Sequence, residues 1–136
     1  MTFAKRRTRA IALTLLTTAC GVVWRLGHIP LPFVAYKYGG SMLWAVAIYC
    51  LVVATFPRWS ITRVGVASAF LAACIECFKL YHSPAMDAFR STLAGKLILG
   101  RVFSWKDIAA YALAIGVAAL IDKMFLCPTA PQPAKA

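Results

Sequence analysis

Long apolar runs alternate with short cationic connections along this chain, and that alternation predicts its elements. A helix rises about 1.5 Å per residue and the hydrocarbon layer is about 30 Å thick, so a run of roughly 20 apolar residues reads as a membrane crossing. The first predicted helix covers about 10–26 and follows a basic tail with Lys5, Arg6, Arg7 and Arg9. Pro30, Pro32 and Gly39-Gly40 then mark a loop or a broken interfacial stretch. The second helix covers about 41–56 and stops at Pro57-Arg58, with Trp59 as an interfacial aromatic. The third covers about 64–81 and is broken by Ser83-Pro84. The last covers about 104–126 and opens on Ser104 and Asp107, which read as a capping box with Asp in place of the usual Glu.

Between the last two helices, 89–103 is apolar but interrupted by Arg90, Lys96 and Arg101. It is too short between charges to span, and it predicts one interfacial or re-entrant helix. The tail 127–136 carries Pro128, Pro131 and Pro133 and is expected to be disordered. The expected fold is therefore all-α: an integral membrane bundle of four transmembrane helices plus one short interfacial or re-entrant helix, in a single domain over 1–126. Thr17-Thr18-Ala19-Cys20-Gly21 hints at a lipoprotein box but lacks the usual Leu, so a retained first helix is the expectation.

Composition agrees with the pattern. Of 136 residues 62% are hydrophobic and 14% charged, against about 45–50% and about 25% in soluble domains. The net charge of +11 comes from 15 Lys and Arg against four acids, Glu76, Asp87, Asp107 and Asp122. Nucleic-acid binding needs a solvated basic face with stacking aromatics. Here the cations sit between apolar runs, where lipid head groups and the positive-inside bias account for them. Cations at 5, 6, 7, 9, 58, 63, 123 and 135 fall on the side of the N-terminus, and those at 25, 37, 90, 96, 101 and 106 on the other. That bias predicts a plasma-membrane protein with both termini cytoplasmic. Five cysteines, four of them within apolar runs, read as small apolar residues packed between helices rather than as a disulfide framework.

Candidate chemistry centres on Glu76. A charged side chain within a spanning helix costs about 2.5–3.5 kcal/mol on insertion scales, so a partner or a task must offset it. Lys79 at i+3 is placed to pair with it. Gly65, Ala69 and Ala72 share a predicted face with Glu76, which aims the carboxylate at another helix. On the first helix Thr14, Thr18, Gly21 and Arg25 form one stripe, and on the last Asp107, Tyr111, Ala114 and Ala118 form another. Arg25 either faces the protein on that stripe or snorkels to the interface. Arg90, Lys96, Arg101 and Lys106 form a cationic cluster suited to phosphate or carboxylate. Cys74-Ile75-Glu76-Cys77 has redox spacing, but it lies late in an apolar helix beside a carboxylate, and with only His28 and His82 available no metal site is expected. No Ser-His-Asp arrangement, phosphate-binding glycine loop or nucleotide fingerprint occurs, so no cofactor is expected.

Several blocks carry a resemblance. They are Lys37-Tyr38-Gly39-Gly40-Ser41-Met42-Leu43-Trp44-Ala45, Glu76-x-x-Lys79-Leu80-Tyr81, Arg90-x-Thr92-x-x-Gly95-x-Leu97-x-Leu99-Gly100 and Phe103-Ser104-Trp105-x-Asp107-x-x-x-Tyr111. Together they resemble a family of small bacterial multi-pass membrane proteins of unknown function, related to the VanZ-like proteins. VanZ-like chains repeat a Glu, a Gln three residues later, and Arg-x-x-Ser-x-x-Asp at the next helix. Here those positions are Glu76, Lys79 and Arg101-x-x-Ser104-x-x-Asp107, so Lys replaces Gln, and Ser41 stands where Asp is frequent. The resemblance implies a role in the cell envelope without supplying a mechanism.

The function expected first is non-enzymatic. Arg25, Lys37, Glu76, Lys79, Arg90, Arg101, Asp107 and Tyr111 would line a polar pocket at the outer interface for an anionic lipid or lipid-linked precursor. The alternatives are an enzyme acting on such a head group with Glu76 or Asp107 as general base, and a scaffold whose charges only fix packing. A homo-oligomer is compatible with each.

Overall fold

A computed structural model describes residues 2–27, 30, 32–100 and 102–126. These form six α-helices, with no strand among the described residues. In chain order they are α1 (Phe3–Leu26), α2 (Phe33–Thr55), α3 (Ile61–Phe78), α4 (Pro84–Ser91), α5 (Leu93–Ile98) and α6 (Trp105–Ile121). α6 continues into a π-helical turn over Asp122–Leu126. α1, α2, α3 and α6 (with its π-turn) are each long and apolar enough to cross a membrane.

α2 is the axis of the bundle. It packs against α1, α3 and α6, and α3 packs against α6. The core joins Ala45, Ile48, Tyr49, Val52 and Val53 of α2 to Val64 and Ala72 of α3 and to Tyr111, Ala114, Ile115 and Ala118 of α6. Outside it, Leu15, Leu16, Val23, Val66, Phe70, Leu113 and Leu120 are exposed. Water would not tolerate so continuous an apolar exterior, whereas lipid requires it.

Two helices begin earlier than their sequence suggests. The basic stretch expected as a tail is helical from Phe3, with Thr2 Oγ1 accepting from Lys5 N at 3.4 Å. Lys and Arg are good helix formers, and no Gly or Pro intervenes to stop the helix. α2 begins at Phe33 rather than 41 and runs through Gly39-Gly40. Those glycines make room for a neighbour: a Cβ at Gly39 would lie 2.6 Å from Trp24 Cζ2. The Trp24 indole donates to Tyr36 O at 3.0 Å, and Tyr36 Oη donates to Arg25 O at 2.8 Å. Trp24 thus locks α1 onto α2.

The connection between α3 and α6 holds two short helices. Thr92, with φ −70° and ψ 160°, ends α4 and caps α5 through a 3.1 Å bond from Gly95 N. The one helix expected over 89–103 is therefore divided at Thr92, and Arg101 lies outside the described residues. So do His28 and the tail 127–136.

Two further expectations change. The buried stripe of α3 is Val64, Ser68, Ala72 and Glu76, spaced by four, while Ala69 is exposed and nothing lies within 4 Å of a Cβ built on Gly65. Of the cysteines described, only Cys50 packs inside; Cys20, Cys74 and Cys77 are exposed.

Candidate functional site

The site forms where α1 ends, α2 begins, α3 ends and α6 begins. Glu76 lies in the last turn of α3, where the helix dipole disfavours an anion. Its side chain is 0% exposed, and three donors from two elements converge on it. Lys79 Nζ donates to Oε2 at 2.5 Å, Tyr111 Oη donates to the same oxygen at 3.0 Å, and the Ser104 backbone N–H donates to Oε1 at 2.8 Å. Ser104 is the N-cap of α6. Glu76 therefore sits at the positive end of α6, and that dipole supplies what its own helix denies it.

This arrangement replaces the expected capping box. The Ser104 side chain makes no capping bond, and Asp107 does not reach back to the Ser104 amide. Glu76, 28 residues earlier, takes that amide instead. Asp107 is released to face α2, where Ser41 Oγ donates to its Oδ1 at 3.4 Å. Asp107 is 5% exposed, and this long contact is its one side-chain hydrogen bond among the described residues. Tyr111 lies one turn further along α6 on the same buried face. Gly100, at φ +69°, closes the floor, since a Cβ there would lie 3.1 Å from Lys79 Cε.

The residues expected at the site are thus distributed unevenly. Glu76, Lys79, Asp107 and Tyr111 come together in the interior. Arg25 is exposed in the last turn of α1. Lys37 is also exposed, its ammonium 5.5 Å from the Tyr38 ring; only its backbone carbonyl joins the cluster, 3.3 Å from Ser41 Oγ and sharing that one hydroxyl proton with Asp107. Arg90 is elsewhere. It is buried and closes the end of α3, donating to Phe78 O at 2.6 Å and Tyr81 O at 2.7 Å, with Asp87 at 3.4 Å. His82 turns to Asp87 at 3.0 Å, so it does not approach Cys74, Glu76 and Cys77 as a ligand set would require.

A second buried cluster at the opposite end was not foreseen. Arg6 and Asp122 are 1% and 0% exposed. Arg6 Nε donates to Asp122 Oδ1 at 3.2 Å and Nη2 to Oδ2 at 2.5 Å, while Nη1 donates to Pro57 O at 2.8 Å and Trp59 O at 3.0 Å. Tyr49 Oη donates to Asp122 Oδ2 at 2.8 Å. The signal was available: Asp122 closes an apolar run just as Glu76 does, and it needed a cation from the same end.

Residues 30–117 match the model of a family described as a protein of unknown function (DUF2809), and the chain belongs to that family. The matched span includes the Lys37–Ala45 block and the whole Glu76–Tyr111 cluster. No solved structure matches the chain.

Proposed function

We propose that this DUF2809 protein is a multi-pass membrane protein that binds, without chemical turnover, the head group of an anionic lipid or lipid-linked cell-envelope precursor. The ligand would sit where α1 ends and α6 begins. One observation carries the reading: Asp107 is a buried carboxylate with a single long side-chain hydrogen bond among the described residues, at the end of the bundle where Arg25 is exposed. Buried carboxylates normally have their acceptor capacity filled, since an unmet one is costly. Spare acceptor capacity at an end that carries an exposed cation suits a phosphate flanked by hydroxyl groups. Arg25, Lys37, Lys96 and Lys106, all exposed at this end, would meet the phosphate, and Asp107 would take a hydroxyl. Glu76 is then a positioning group that fixes Lys79, Tyr111 and the start of α6.

Glu76 is poorly placed as a general base, because both its oxygens already accept hydrogen bonds. That same saturation favours a second reading, a scaffold subunit whose charges only set packing. Mass spectrometry of lipids retained after purification in mild detergent separates the two. On the binding reading, Arg25→Gln with Lys106→Gln reduces retained anionic lipid by about fivefold per charge, and Asp107→Asn changes which head groups are retained. Retention identical to wild type in both variants leaves the scaffold reading.

A further inference from the structure

The opposite end of the bundle carries a groove that the cluster around Glu76 does not use. Trp59, Thr62, Arg63, Val66, Ala67 and Phe70 line about 480 Å³ on the outer side of α3. Its lining follows the start of α3. Thr62 and Arg63 lie in the first turn of α3, and Val66, Ala67 and Phe70 follow over the next two turns, about 12 Å along the axis from Thr62 to Phe70. Trp59 stacks on Phe56 at 4.1 Å between ring centroids, which makes one wall flat and rigid. The groove surface is therefore almost wholly hydrocarbon, with the exposed Arg63 at its end.

Charge decides what such a groove accepts. Asp122 is the acid at this end, and Arg6 neutralises it in the interior. Lys5, Arg7, Arg9, Arg58, Arg63 and Lys123 are all exposed around it. Arg63 makes no ion pair and no side-chain hydrogen bond among the described residues, and its amide lies at the positive end of an 18-residue helix. An exposed guanidinium above an apolar trench matches one amphiphile, with a phosphate at the mouth and a chain below. We infer that the groove along the first turns of α3 is a specific site for one anionic phospholipid, its phosphate on Arg63 and its acyl chain along Val66, Ala67 and Phe70. This lipid is distinct from the head group assigned to the α6 end, which lies on the far side of the bundle. The same cations draw this end towards the leaflet richer in anionic lipid.

Native mass spectrometry of the full chain in detergent, titrated with phosphatidylglycerol or phosphatidylcholine, tests the assignment. Wild type is expected to hold phosphatidylglycerol in preference to phosphatidylcholine. Arg63→Gln should weaken phosphatidylglycerol retention about fivefold, and Arg58→Gln with Arg63→Gln about 25-fold, at roughly 1 kcal/mol per cation near the surface. Ala67→Phe, which fills the trench without touching a charge, should displace the lipid as well. Arg25→Gln with Lys106→Gln should leave this binding event intact, so failure here is separable from failure at the α6 end. Arg63 and Ala67 line the groove and Arg58 is exposed next to Trp59, and thermal unfolding checks that each variant folds. Equal retention of the two lipids by wild type, or retention by folded Arg63→Gln and Ala67→Phe equal to wild type, overturns the proposal.

Discussion

Replacing Glu76 by glutamine removes a charge while keeping shape, so the outcome reads the electrostatics of the site directly. In the native protein Lys79 Nζ, Tyr111 Oη and the Ser104 amide all donate to the carboxylate. A carboxamide offers one acceptor oxygen and turns an NH2 towards groups that are themselves donors. Lys79, 7% exposed, is left beside them as a buried cation without a counterion. Breaking a buried pair in this way costs about 3–5 kcal/mol. The low end applies, because Lys79 follows the last turn of α3 and its long stem can carry the ammonium towards the interface. Taking about 3 kcal/mol, and about 4 °C of midpoint per kcal/mol for a chain of this length, the melting midpoint should fall by about 12 °C. The measurement is thermal unfolding in detergent, followed by labelling of the buried Cys50 thiol in a background where the other cysteines are alanine. Adding Lys79→Met should recover at least half of the loss, since a neutral pair leaves no stranded charge. A midpoint within about 2 °C of wild type for Glu76→Gln alone would refute the reasoning. Failure of Lys79→Met to rescue would shift the weight from the ion pair to the Ser104 and Tyr111 bonds.

Two more outcomes follow from the other contacts. Asp122→Asn strands Arg6, whose guanidinium also holds the carbonyls of Pro57 and Trp59, and should cost about 3 kcal/mol in the same melt; protease cleavage within residues 3–9 should rise with it, and unchanged cleavage would mean the start of α1 is held by something else. Gly39→Ala drives a Cβ into the Trp24 ring and should cost about 1–3 kcal/mol, a loss that Trp24→Leu in the same chain relieves, whereas an additive double variant would show that the two do not meet.

The apolar pattern located all four long helices because lipid imposes length and hydropathy on each span separately. It also gave the inward stripe of α6, Asp107, Tyr111, Ala114 and Ala118, since those residues repeat at the helical period. The pairing of Glu76 with Lys79 was legible for the same local reason, three residues being one turn. On α3 the small residues misled. Gly65 and Ala69 suggested a packed face, yet the helix turns Val64, Ser68, Ala72 and Glu76 inward, because the carboxylate must reach α6 and fixes the rotation of everything above it. Gly39-Gly40 misled in the opposite direction, as a break where the chain needed a seat for Trp24. The partners of Ser104 and Arg6 lie 28 and 116 residues away, and no local period encodes a contact over such distances.

The two buried clusters explain together how a bundle this small fixes its register. Lipid is as apolar as leucine, so apolar contact alone gives helices little reason to prefer one offset over another. α6 carries a buried acid near each end, Asp107 and Asp122, fifteen residues and about 22 Å apart. Asp122 takes its cation from α1, and Glu76 of α3 takes the amide that opens α6. Sliding α6 by one turn against either neighbour would carry these groups about 5.4 Å past their partners and leave charge unmet in hydrocarbon. The penalty would fall at both ends at once, so the two contacts specify a single offset where either alone would leave a hinge. Asp107 stands apart from that requirement, its side chain meeting one long contact from Ser41 among the described residues. A buried group that the fold does not need for register is where selection for something outside the chain has room to act.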